Sequence, residues 1–458
     1  MGGAREASWR KSLNSLEGQW GVRRYRPRPR CLRHVMRVLH VTLTASRGGA
    51  GIAVRRICEA QSSVGLSREL VVSGYGGIED QFVNHVVNEK HRRLRSKAES
   101  ALLAVLRLRD GNFRSLGVVP SGDLPRLVKS LHPDLVNLHW IGGGLLASWQ
   151  IPRLGAPTVW TLHDLWPISG ALHYPVEGWQ FLNDESKAFF ASQTSRRSRA
   201  LDRMLRMIKL ASSRNVTYVA TSTWVSAQLV NLGLEVSNRV RTIPVPVPTH
   251  VFQPLDKDHA RGGMGIGHDR PHVGFIQAAR GGSPIKGSHL LPEIMSKVWQ
   301  EAADVQLVMV GGQTEPSEGS GAFANDAKVW SMPTITSESG LVAFYNAMDL
   351  IIVPSLLDAF NQVAAEAIAC GTPVIAFDNT GPASVVVPNV GGKLVPAYDT
   401  DRFSRAVLDL LTSSADLQRY RNTAPRHAQR YWSYQAVGKQ YQDLYLNLAG
   451  GQRGLARG

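Results

Sequence analysis

The amino-acid sequence predicts an α/β protein with two doubly wound domains, each built on a parallel sheet. Short apolar runs rich in Val and Ile alternate with stretches of helical periodicity along the chain, which is the pattern of α/β domains. A proline-rich segment, residues 243–254, separates two such series, because proline is excluded from helix interiors and central strands. The length of 458 residues also suits two or three domains of ~100–200 residues each.

The predicted strands are short, continuous apolar runs, as expected of parallel strands that are buried on both faces. In the first half they cover residues 37–43, 68–74, 134–140, 157–163 and 216–222. In the second half they cover residues 272–278, 305–311, 349–354 and 373–377, and residues 287–302 carry helical periodicity. Ligands of open α/β sheets bind beyond the carboxyl ends of the strands. Functional side chains are therefore expected in the segments that follow the strands, in a cleft between the two domains.

The chain carries a net charge of +16, and much of it lies before the first predicted strand. Residues 1–35 hold eight arginines and one lysine against two glutamates. A basic arm of this kind can bind nucleic acid. The alternative is a disordered, solvated extension or an upstream translation artefact, since a strand begins directly after Met36. We favour the alternative, and we predict a disordered extension over 1–35 and no nucleic-acid partner.

Two further basic segments, residues 92–109 and 196–209, have helical periodicity. In the first, Leu94, Ala98, Leu102 and Val105 form an apolar stripe among six cationic side chains. In the second, one stripe of Leu and Ile runs beside one of Arg. Basic amphipathic helices bind anionic membrane surfaces, whereas each segment taken alone is somewhat better explained as a solvated helix face. Because both occur in one half of the chain, we predict contact with an anionic membrane surface.

The cysteine content and the hydropathy limit the cellular compartments in which the protein is expected. Cys31, Cys58 and Cys370 are too few for a disulfide framework and are not spaced as a zinc module, which favours a reducing compartment. No segment is the mainly apolar stretch of roughly 20 residues that crosses a bilayer, and the N-terminus has no apolar signal region. The sequence therefore predicts a cytoplasmic protein, peripheral at the inner face of the cell membrane where the basic helices bind.

A glycine-rich turn follows the first predicted strand. It comprises Gly48, Gly49, Ala50 and Gly51, and a helix is expected from Ile52. Turns of this kind let backbone amides approach a phosphate or a sugar closely. The sequence is neither a Walker loop nor Gly-x-Gly-x-x-Gly, so a plain tight turn is the alternative interpretation.

Two histidines end other strands of the first half. His139 lies at the end of the run 134–140, and His163, followed by Asp164, ends the run 157–163. A histidine at the carboxyl end of a buried strand points toward the ligand side of the sheet. For His139 a structural role is equally well supported. For His163, beside an acid, we favour a functional role.

The second half carries a cationic loop and two carboxylates. Arg280 and Lys286 flank a Gly/Pro loop after the run 272–278, at a spacing that could clamp a diphosphate; two solvated loop cations are the alternative. Asp358 is placed where a helix is expected to begin, and Glu366 lies eight residues further on. Amides of a first helical turn bind anions or sugar oxygens, and a carboxylate accepts hydrogen bonds from hydroxyls. Asp358 could also be only an N-cap.

These residues resemble family 4 of the retaining glycosyltransferases, which have the GT-B fold and use nucleotide-sugar donors. Within the family, the sequence is most similar to bacterial enzymes of capsular or exopolysaccharide assembly. The resemblance runs from Met36 to about Ala449. It rests on these ordered segments: VLHVTLTASRGGAG (38–51), DLVNLHW (134–140), VWTLHDLWPISGALHY (159–174), TSTWVS (221–226), ARGGSPIKG (279–287), FYNAMDLIIVPSLLDAFNQVAAEAIACGTPVIAFDNTG (344–381) and SYQAVGKQYQDLY (433–445).

The resemblance implies a domain organisation. Two Rossmann-like domains would face each other across a cleft, with residues 36–245 on the acceptor side and residues 246–430 binding the nucleotide sugar. Residues 431–458 would form a C-terminal helix that crosses back to the first domain, followed by a tail.

The resemblance also implies roles for the residues singled out above. It makes His163, Asp358, Arg280 and Lys286 catalytic, with the two cations on the diphosphate and Asp358 on the donor sugar. Glu366 would hold the ribose, and the acceptor would lie near His139, His163 and Asp164. The remaining donor-binding residues would be Gly48, Gly49, Ala50, Gly51, Ala359, Phe360, Asn361, Gln362 and Val363.

The chemistry implied by the resemblance needs no metal and no cofactor. The donor would be a nucleotide-diphosphate sugar, and the acceptor a hydroxyl of a lipid-linked glycan or growing polysaccharide. Retention would follow from front-face attack, in which the departing phosphate oxygen takes the acceptor proton. Cations, helix amides and the glycine-rich turn would stabilise the leaving group, and no separate base or nucleophile is assigned.

Three alternatives stay open at this point. A nucleotide-sugar epimerase can share the fold and needs no acceptor. A basic nucleic-acid-binding protein would explain the charge, although the densest basic cluster lies in residues 1–35. An inactive partner subunit would not need Arg280, Lys286 and Glu366, all of which are present.

Overall fold

The structure is a computed structural model that describes residues 36–45, 48–73, 85–106, 115–174, 196–231, 239–277, 284–311 and 326–455. The chain divides into two compact units. One comprises Arg33–Pro246 together with Tyr434–Gly458, and the other includes Val247–Ser433. The chain passes from the first unit to the second within the proline-rich segment that the sequence singles out.

The first unit contains a parallel sheet of seven strands in the order β3-β2-β1-β4-β5-β6-β7. The strands are β1 (Arg37–Thr42), β2 (Ser67–Ser73), β3 (His85–Val87), β4 (Leu135–Leu138), β5 (Thr158–Leu162), β6 (Val216–Ala220) and β7 (Val240–Thr242). The helices of this unit that precede the second unit in sequence are α1 (Gly48–Ser63), α2 (Glu89–Val105), α3 (Asp123–Leu131), α4 (Arg196–Ser212) and α5 (Thr223–Asn231).

The second unit contains a parallel sheet of six strands in the order β10-β9-β8-β11-β12-β13. The strands are β8 (His272–Ile276), β9 (Gln306–Val310), β10 (Val329–Met332), β11 (Leu350–Val353), β12 (Val374–Phe377) and β13 (Gly392–Val395). The helices are α6 (Lys257–Met264), α7 (Leu291–Glu301), α8 (Glu338–Ala347), α9 (Gln362–Ala369), α10 (Gly381–Val385), α11 (Thr400–Thr412) and α12 (Ser414–Trp432). The predicted α/β fold class with parallel, doubly wound sheets is therefore confirmed.

All nine predicted strands are present, with ends within two residues of the predicted ones. The sequence misses four strands, and these are the edge strands β3, β7, β10 and β13 of the two sheets. Edge strands have one neighbour and are covered less completely. In each of the four, at least two residues are partly or fully exposed and no two consecutive residues are buried. They therefore lack the continuous apolar pattern that marks the inner strands.

The last helix, α13 (Tyr434–Leu455), packs on α1 and covers one face of the first unit's sheet. Its Val437, Tyr441 and Tyr445 are fully buried in one cluster with β-strand side chains. Gly438 allows the close approach, because a Cβ atom there would lie 2.1 Å from the carbonyl oxygen of Ala60. The C-terminal segment thus belongs to the first unit although it follows the second in sequence.

Within the described residues, no helix combines the length and the apolar character needed to cross a bilayer.

Candidate active site

Each sheet has one point where the strand order reverses. The reversal lies between β1 and β4 in the first sheet and between β8 and β11 in the second. Ligands of open parallel sheets bind beyond the carboxyl ends of the strands at such switch points. The predicted site residues follow these four strands and the neighbouring strand β5.

In the second unit, the structure brings Lys286 and Asp358 together. Lys286 ends a short 3-10 turn after β8, and Asp358 follows β11. The Lys286 Nζ atom donates to Asp358 Oδ2 over 2.6 Å, and Asn361 Nδ2 donates to the same oxygen over 3.0 Å. The pair is only partly buried, so a cation and a carboxylate are held side by side at the switch point with access to solvent.

The loop that carries Lys286 is fixed by backbone contacts. The amides of Leu356 and Leu357 both donate to the carbonyl of Ile285, over 2.8 and 3.1 Å. Gly287 has φ +72°, and a Cβ atom there would lie 1.8 Å from the carbonyl oxygen of Pro354. The segments after β8 and β11 are therefore packed backbone to backbone, which sets the position of Lys286 relative to Asp358.

The expected start of the next helix at Asp358 is wrong. Helix α9 begins at Gln362, and its N-cap is Asn361, which adopts φ +75° and whose Oδ1 accepts from the amide of Ala364 over 2.8 Å. The left-handed backbone at Asn361 delays the helix by about one turn, so the Asp358 side chain is free of a capping role and binds Lys286 instead. Of the predicted donor-binding residues in this segment, Gln362 and Val363 lie in the helix, whereas Ala359 and Phe360 precede it.

Glu366 lies on α9 and is 5% exposed. Its Oε2 accepts a hydrogen bond of 2.7 Å from the hydroxyl of Tyr345, a buried residue of α8. A buried carboxylate requires such a partner. Tyr345 could not be predicted as a site residue, because nothing in the local sequence links it to a glutamate 21 residues away. Arg280, the other predicted cation, lies outside the described residues.

In the first unit, the glycine-rich turn is part of a helix. Gly48, Gly49, Ala50 and Gly51 form the first turn of α1, so the prediction of a helix from Ile52 placed its start too late. Gly48 has φ +71°, and Gly48 and Gly49 are exposed while Gly51 is buried. The backbone amides after β1 therefore belong to an exposed helix N-terminus of the type that binds anions.

His163 is the outer end of a chain of three histidines. Its Nε2 lies 3.0 Å from His139 Nδ1, and His139 Nε2 lies 2.9 Å from His40 Nδ1. The rings stack with centroids 5.2 Å apart at both steps. The chain continues from His40 Nε2 to Gln61 Oε1 over 2.8 Å, and Gln61 Nε2 donates to the hydroxyl of Tyr445 over 2.9 Å. His139 is thus buried between two imidazoles, while His163 is partly exposed.

The three imidazoles are neutral near neutral pH. Burial lowers the pKa of His40 to about 4 and the pKa of His163 to about 4, although the Asp164 carboxylate opposes the shift at His163. Burial, together with the two flanking histidines, lowers the pKa of His139 well below its usual value. A charge inside this chain would be poorly solvated, so the rings act as hydrogen-bonding groups and not as cations.

Asp164 pairs with a residue that the sequence analysis did not single out. Its Oδ2 lies 2.5 Å from His173 Nδ1, and its Oδ1 accepts from the amide of Trp166 over 2.9 Å. The same loop is held by the fully buried Lys209, whose Nζ donates to the carbonyl of Trp166 over 2.7 Å. Burial lowers the pKa of Lys209 well below its usual value. The loop next to His163 is therefore fixed by buried polar contacts.

In the part of the chain that the structure describes, no group of three or more His, Cys, Asp and Glu side chains could hold a metal ion.

The two parallel sheets and the polar groups at their switch points define a protein of the GT-B glycosyltransferase fold class. Residues 47–251 match the family model described as Glycosyltransferase Family 4, and residues 270–413 match the one described as Glycosyl transferases group 1. Each unit therefore contains a segment that is similar to a glycosyltransferase family.

Two similar proteins carry the same description. D-inositol 3-phosphate glycosyltransferase of Acidothermus cellulolyticus is 30% identical over 319 residues, which are 65% of this chain and 64% of that protein. D-inositol 3-phosphate glycosyltransferase 1 of Catenulispora acidiphila is 26% identical over 344 residues, 70% of this chain and 76% of that protein. The match thus spans 64% of the length of the first relative. Neither name refers to capsular or exopolysaccharide assembly, to which the sequence resemblance pointed.

Solved structures share the fold at low identity. Sucrose-phosphate synthase from Thermosynechococcus elongatus has a TM-score of 0.67 and 20% identity, and the alignment covers 91% of this chain and all of that one. HepE of Anabaena, solved in complex with UDP-glucose, has a TM-score of 0.61 and 14% identity, with 89% and 99% covered. These similarities support the fold.

Proposed function

We propose that the protein transfers a sugar from a nucleotide-diphosphate sugar to a hydroxyl acceptor, with retention of anomeric configuration. The observation that carries the proposal is the contact of Lys286 Nζ with Asp358 Oδ2, 2.6 Å apart, at the switch point of the second sheet. A cation there suits a diphosphate, and a carboxylate suits the hydroxyls of a sugar. The two chemical parts of the donor therefore have matching groups side by side.

The cation acts on the leaving group. As the glycosidic bond breaks, negative charge grows on the departing diphosphate, so an ammonium group stabilises the transition state more than the ground state. Asp358 holds Lys286 by a charge-assisted hydrogen bond before the donor arrives. Positioning of this kind reduces the reorganisation needed during the reaction. Arg280, six residues earlier in the same segment, is the proposed second cation.

Glu366 acts on the nucleoside. An ionised carboxylate accepts hydrogen bonds only, which matches a pair of ribose hydroxyls. The Tyr345 hydroxyl holds one carboxylate oxygen over 2.7 Å and so restricts the rotamer of Glu366. The acceptor proton passes to the departing phosphate oxygen in this proposal, so no side chain is assigned as a base.

The donor is tested by offering a panel of nucleotide sugars to the purified protein. A true donor raises the unfolding temperature in proportion to its affinity, and with acceptor present it yields free nucleotide diphosphate. Proton NMR of the product gives its anomeric configuration, and inversion would contradict the proposal. Donor incubated without acceptor is the control for an epimerase, which would convert the sugar while it stays attached to the nucleotide.

The acceptor is inferred from the outer surfaces of α2 and α4. On α2, the predicted stripe faces solvent, because Leu94 is 67% and Val105 is 79% exposed. On α4, Met204 is 47% and Met207 is 64% exposed. Both helices pack on one small core cluster through Leu103, Leu201 and Leu205. Two helices on one cluster thus leave large apolar side chains in solvent.

The charges on these helices divide into two groups. Arg92 and Arg95 face inward, where they donate to the carbonyls of Gly143 and Gly144 over 2.7 and 2.8 Å, and they are not available to a membrane. Exposed cations that flank the apolar side chains are Lys90, Arg93, Lys97, Arg197 and Arg203. Apolar side chains among cations suit an anionic bilayer surface, and we infer from them a lipid-linked glycan acceptor.

A vesicle experiment separates this acceptor from a small soluble one. Protein lacking residues 1–35 should bind vesicles with anionic headgroups at low salt, and binding should weaken as salt rises. Leu94→Glu and Met207→Glu should reduce binding, whereas Leu446→Glu, at an apolar residue that is 53% exposed on α13, serves as the matched control. Absence of vesicle binding together with transfer to an inositol phosphate would favour the acceptor that the relatives' name contains.

A further inference from the structure

The buried chain from Tyr445 to His163 fixes which nitrogen of His163 carries a proton. Five side chains from five parts of the fold form it: Tyr445 on α13, Gln61 on α1, His40 on β1, His139 after β4 and His163 after β5. Its only partly exposed member is His163, since the other four are at most 2% exposed. The chain therefore links the solvent-accessible end of the first sheet to the helix that covers that sheet.

Proton counting gives the tautomers. Three neutral imidazoles carry three N–H protons. A carbonyl oxygen only accepts, so the 2.8 Å contact of His40 Nε2 with Gln61 Oε1 takes one proton. Each of the two imidazole–imidazole contacts, at 2.9 and 3.0 Å, takes one more. His163 then donates from Nε2 to His139, and no proton is left for His163 Nδ1.

The donor-to-acceptor direction of the hydrogen bonds along the histidine chain depends on the side-chain amide of Gln61. In the structure its Oε1 faces His40, and its Nε2 donates to the Tyr445 hydroxyl over 2.9 Å. That hydroxyl also accepts from Asn137 Nδ2 over 2.7 Å, and Asn137 Oδ1 in turn accepts from the hydroxyl of Thr161. With the amide reversed, an N–H would face His40, all three rings would change tautomer, and His163 Nδ1 would become a donor.

We propose that Gln61, oriented by Tyr445, is a positioning residue that fixes His163 as a hydrogen-bond acceptor at Nδ1. This acceptor receives a hydroxyl of the bound substrate, a step that rests on the proposed function. The low pKa values of the rings accord with this assignment, because a proton shared along the chain would need a charged ring in a buried site.

The test is the nitrogen NMR spectrum of the full-length protein labelled with ¹⁵N-histidine, with the His163 signals identified by their loss in His163→Gln. The parent protein should show a protonated Nε2 and an unprotonated Nδ1 on His163. Gln61→Glu keeps an acceptor opposite His40 and should keep this tautomer. Gln61→Leu removes the acceptor and should give mixed tautomers, with kcat about five- to tenfold lower and the KM for donor little changed, as for loss of one hydrogen bond.

The matched control is Gln442→Leu, which removes a hydrogen bond from α13 to the carbonyl of Val64, the residue directly after α1, and lies outside the histidine chain. It should leave the His163 tautomer as in the parent. A parent protein with the proton on His163 Nδ1 overturns the proposal even if no variant folds. So does a Gln61→Leu protein with the parent tautomer, or a Gln442→Leu protein that changes it. The spectra need no substrate, so an absence of sugar transfer would contradict the proposed function and leave the tautomer assignment standing.

Discussion

The switch points of the two sheets hold polar groups of opposite kinds. In the first unit, His40 and His139 are neutral and buried, within or directly after the strands. In the second, Lys286 and Asp358 form an ion pair on segments that leave the sheet, and both keep some exposure. A group inside the covered sheet has to stay neutral because its charge would not be solvated, whereas a group on a partly open loop keeps its charge. Similar topology therefore holds neutral, hydrogen-bonded groups in the first unit and an ion pair in the second.

The largest expected effect concerns the ion pair of Lys286 and Asp358 in the second unit. Lys286→Ala should lower kcat by about 10- to 100-fold, because a hydrogen bond to a charged group contributes roughly 1.5–3 kcal/mol and each 1.36 kcal/mol is a factor of ten. The loss in turnover should exceed the loss in donor affinity, since the charge on the leaving group grows during the reaction. Turnover and donor binding are measured separately. Lys297→Ala removes another paired lysine of the same unit and should turn over like the parent; equal rates for both variants would remove Lys286 from the site.

A smaller effect is expected from Tyr345→Phe. Loss of the 2.7 Å hydrogen bond to Glu366 should weaken donor binding by about tenfold, because the carboxylate loses the contact that orients it. Calorimetric titration with the donor measures this effect. Tyr420→Phe removes a buried hydroxyl that donates to the carbonyl of Gly392 and is the control. Unchanged donor affinity in Tyr345→Phe would mean that Glu366 does not bind the donor.

The buried, neutral histidines of the first unit predict that the stability of the protein depends on pH. The folded-state pKa of His40 is about 4, below its unfolded value of about 6.5. Between these two values the unfolded chain binds more protons, so the free energy of unfolding falls as the pH is lowered from about 6.5 toward 4, by up to about 1.4 kcal/mol per pH unit for this group. Urea unfolding at a series of pH values measures the slope. His40→Gln should have a shallower slope; an identical slope would show that His40 titrates normally in the folded protein.

The smallest expected effects are those of a chelator and of truncation. The proposed site stabilises the leaving group with side-chain cations, so excess chelator should leave turnover unchanged. A loss restored by manganese or magnesium would contradict this expectation.

Deletion of residues 1–35 should change neither the unfolding temperature nor turnover appreciably, because the first predicted strand begins at Arg37. A large loss in either quantity would place those residues in the folded protein.

The sequence predicted the inner strands of both sheets and the order of the groups that follow them. Continuous apolar runs mark strands buried on both faces, and the segments that follow them contain Lys286, Asp358 and His163. The edge strands were not predicted, because each has a single neighbouring strand and lacks a continuous apolar run. The start of α9 was misplaced because the left-handed conformation of Asn361 is not encoded by a recognisable local pattern.

The partners of the site residues came only from the tertiary structure. Tyr345 on α8 donates to Glu366 on α9, and Gln61 donates to Tyr445, which lies 384 residues further along the sequence. Local patterns carry information about burial and about strand ends, because these depend on neighbouring residues along the chain. The sequence by itself therefore determined that this protein has two parallel α/β sheets with polar groups at the strand ends. Which of these groups are buried and which partner each one meets was decided by packing, as for His40, whose partner Gln61 is in turn bonded to Tyr445 of the last helix.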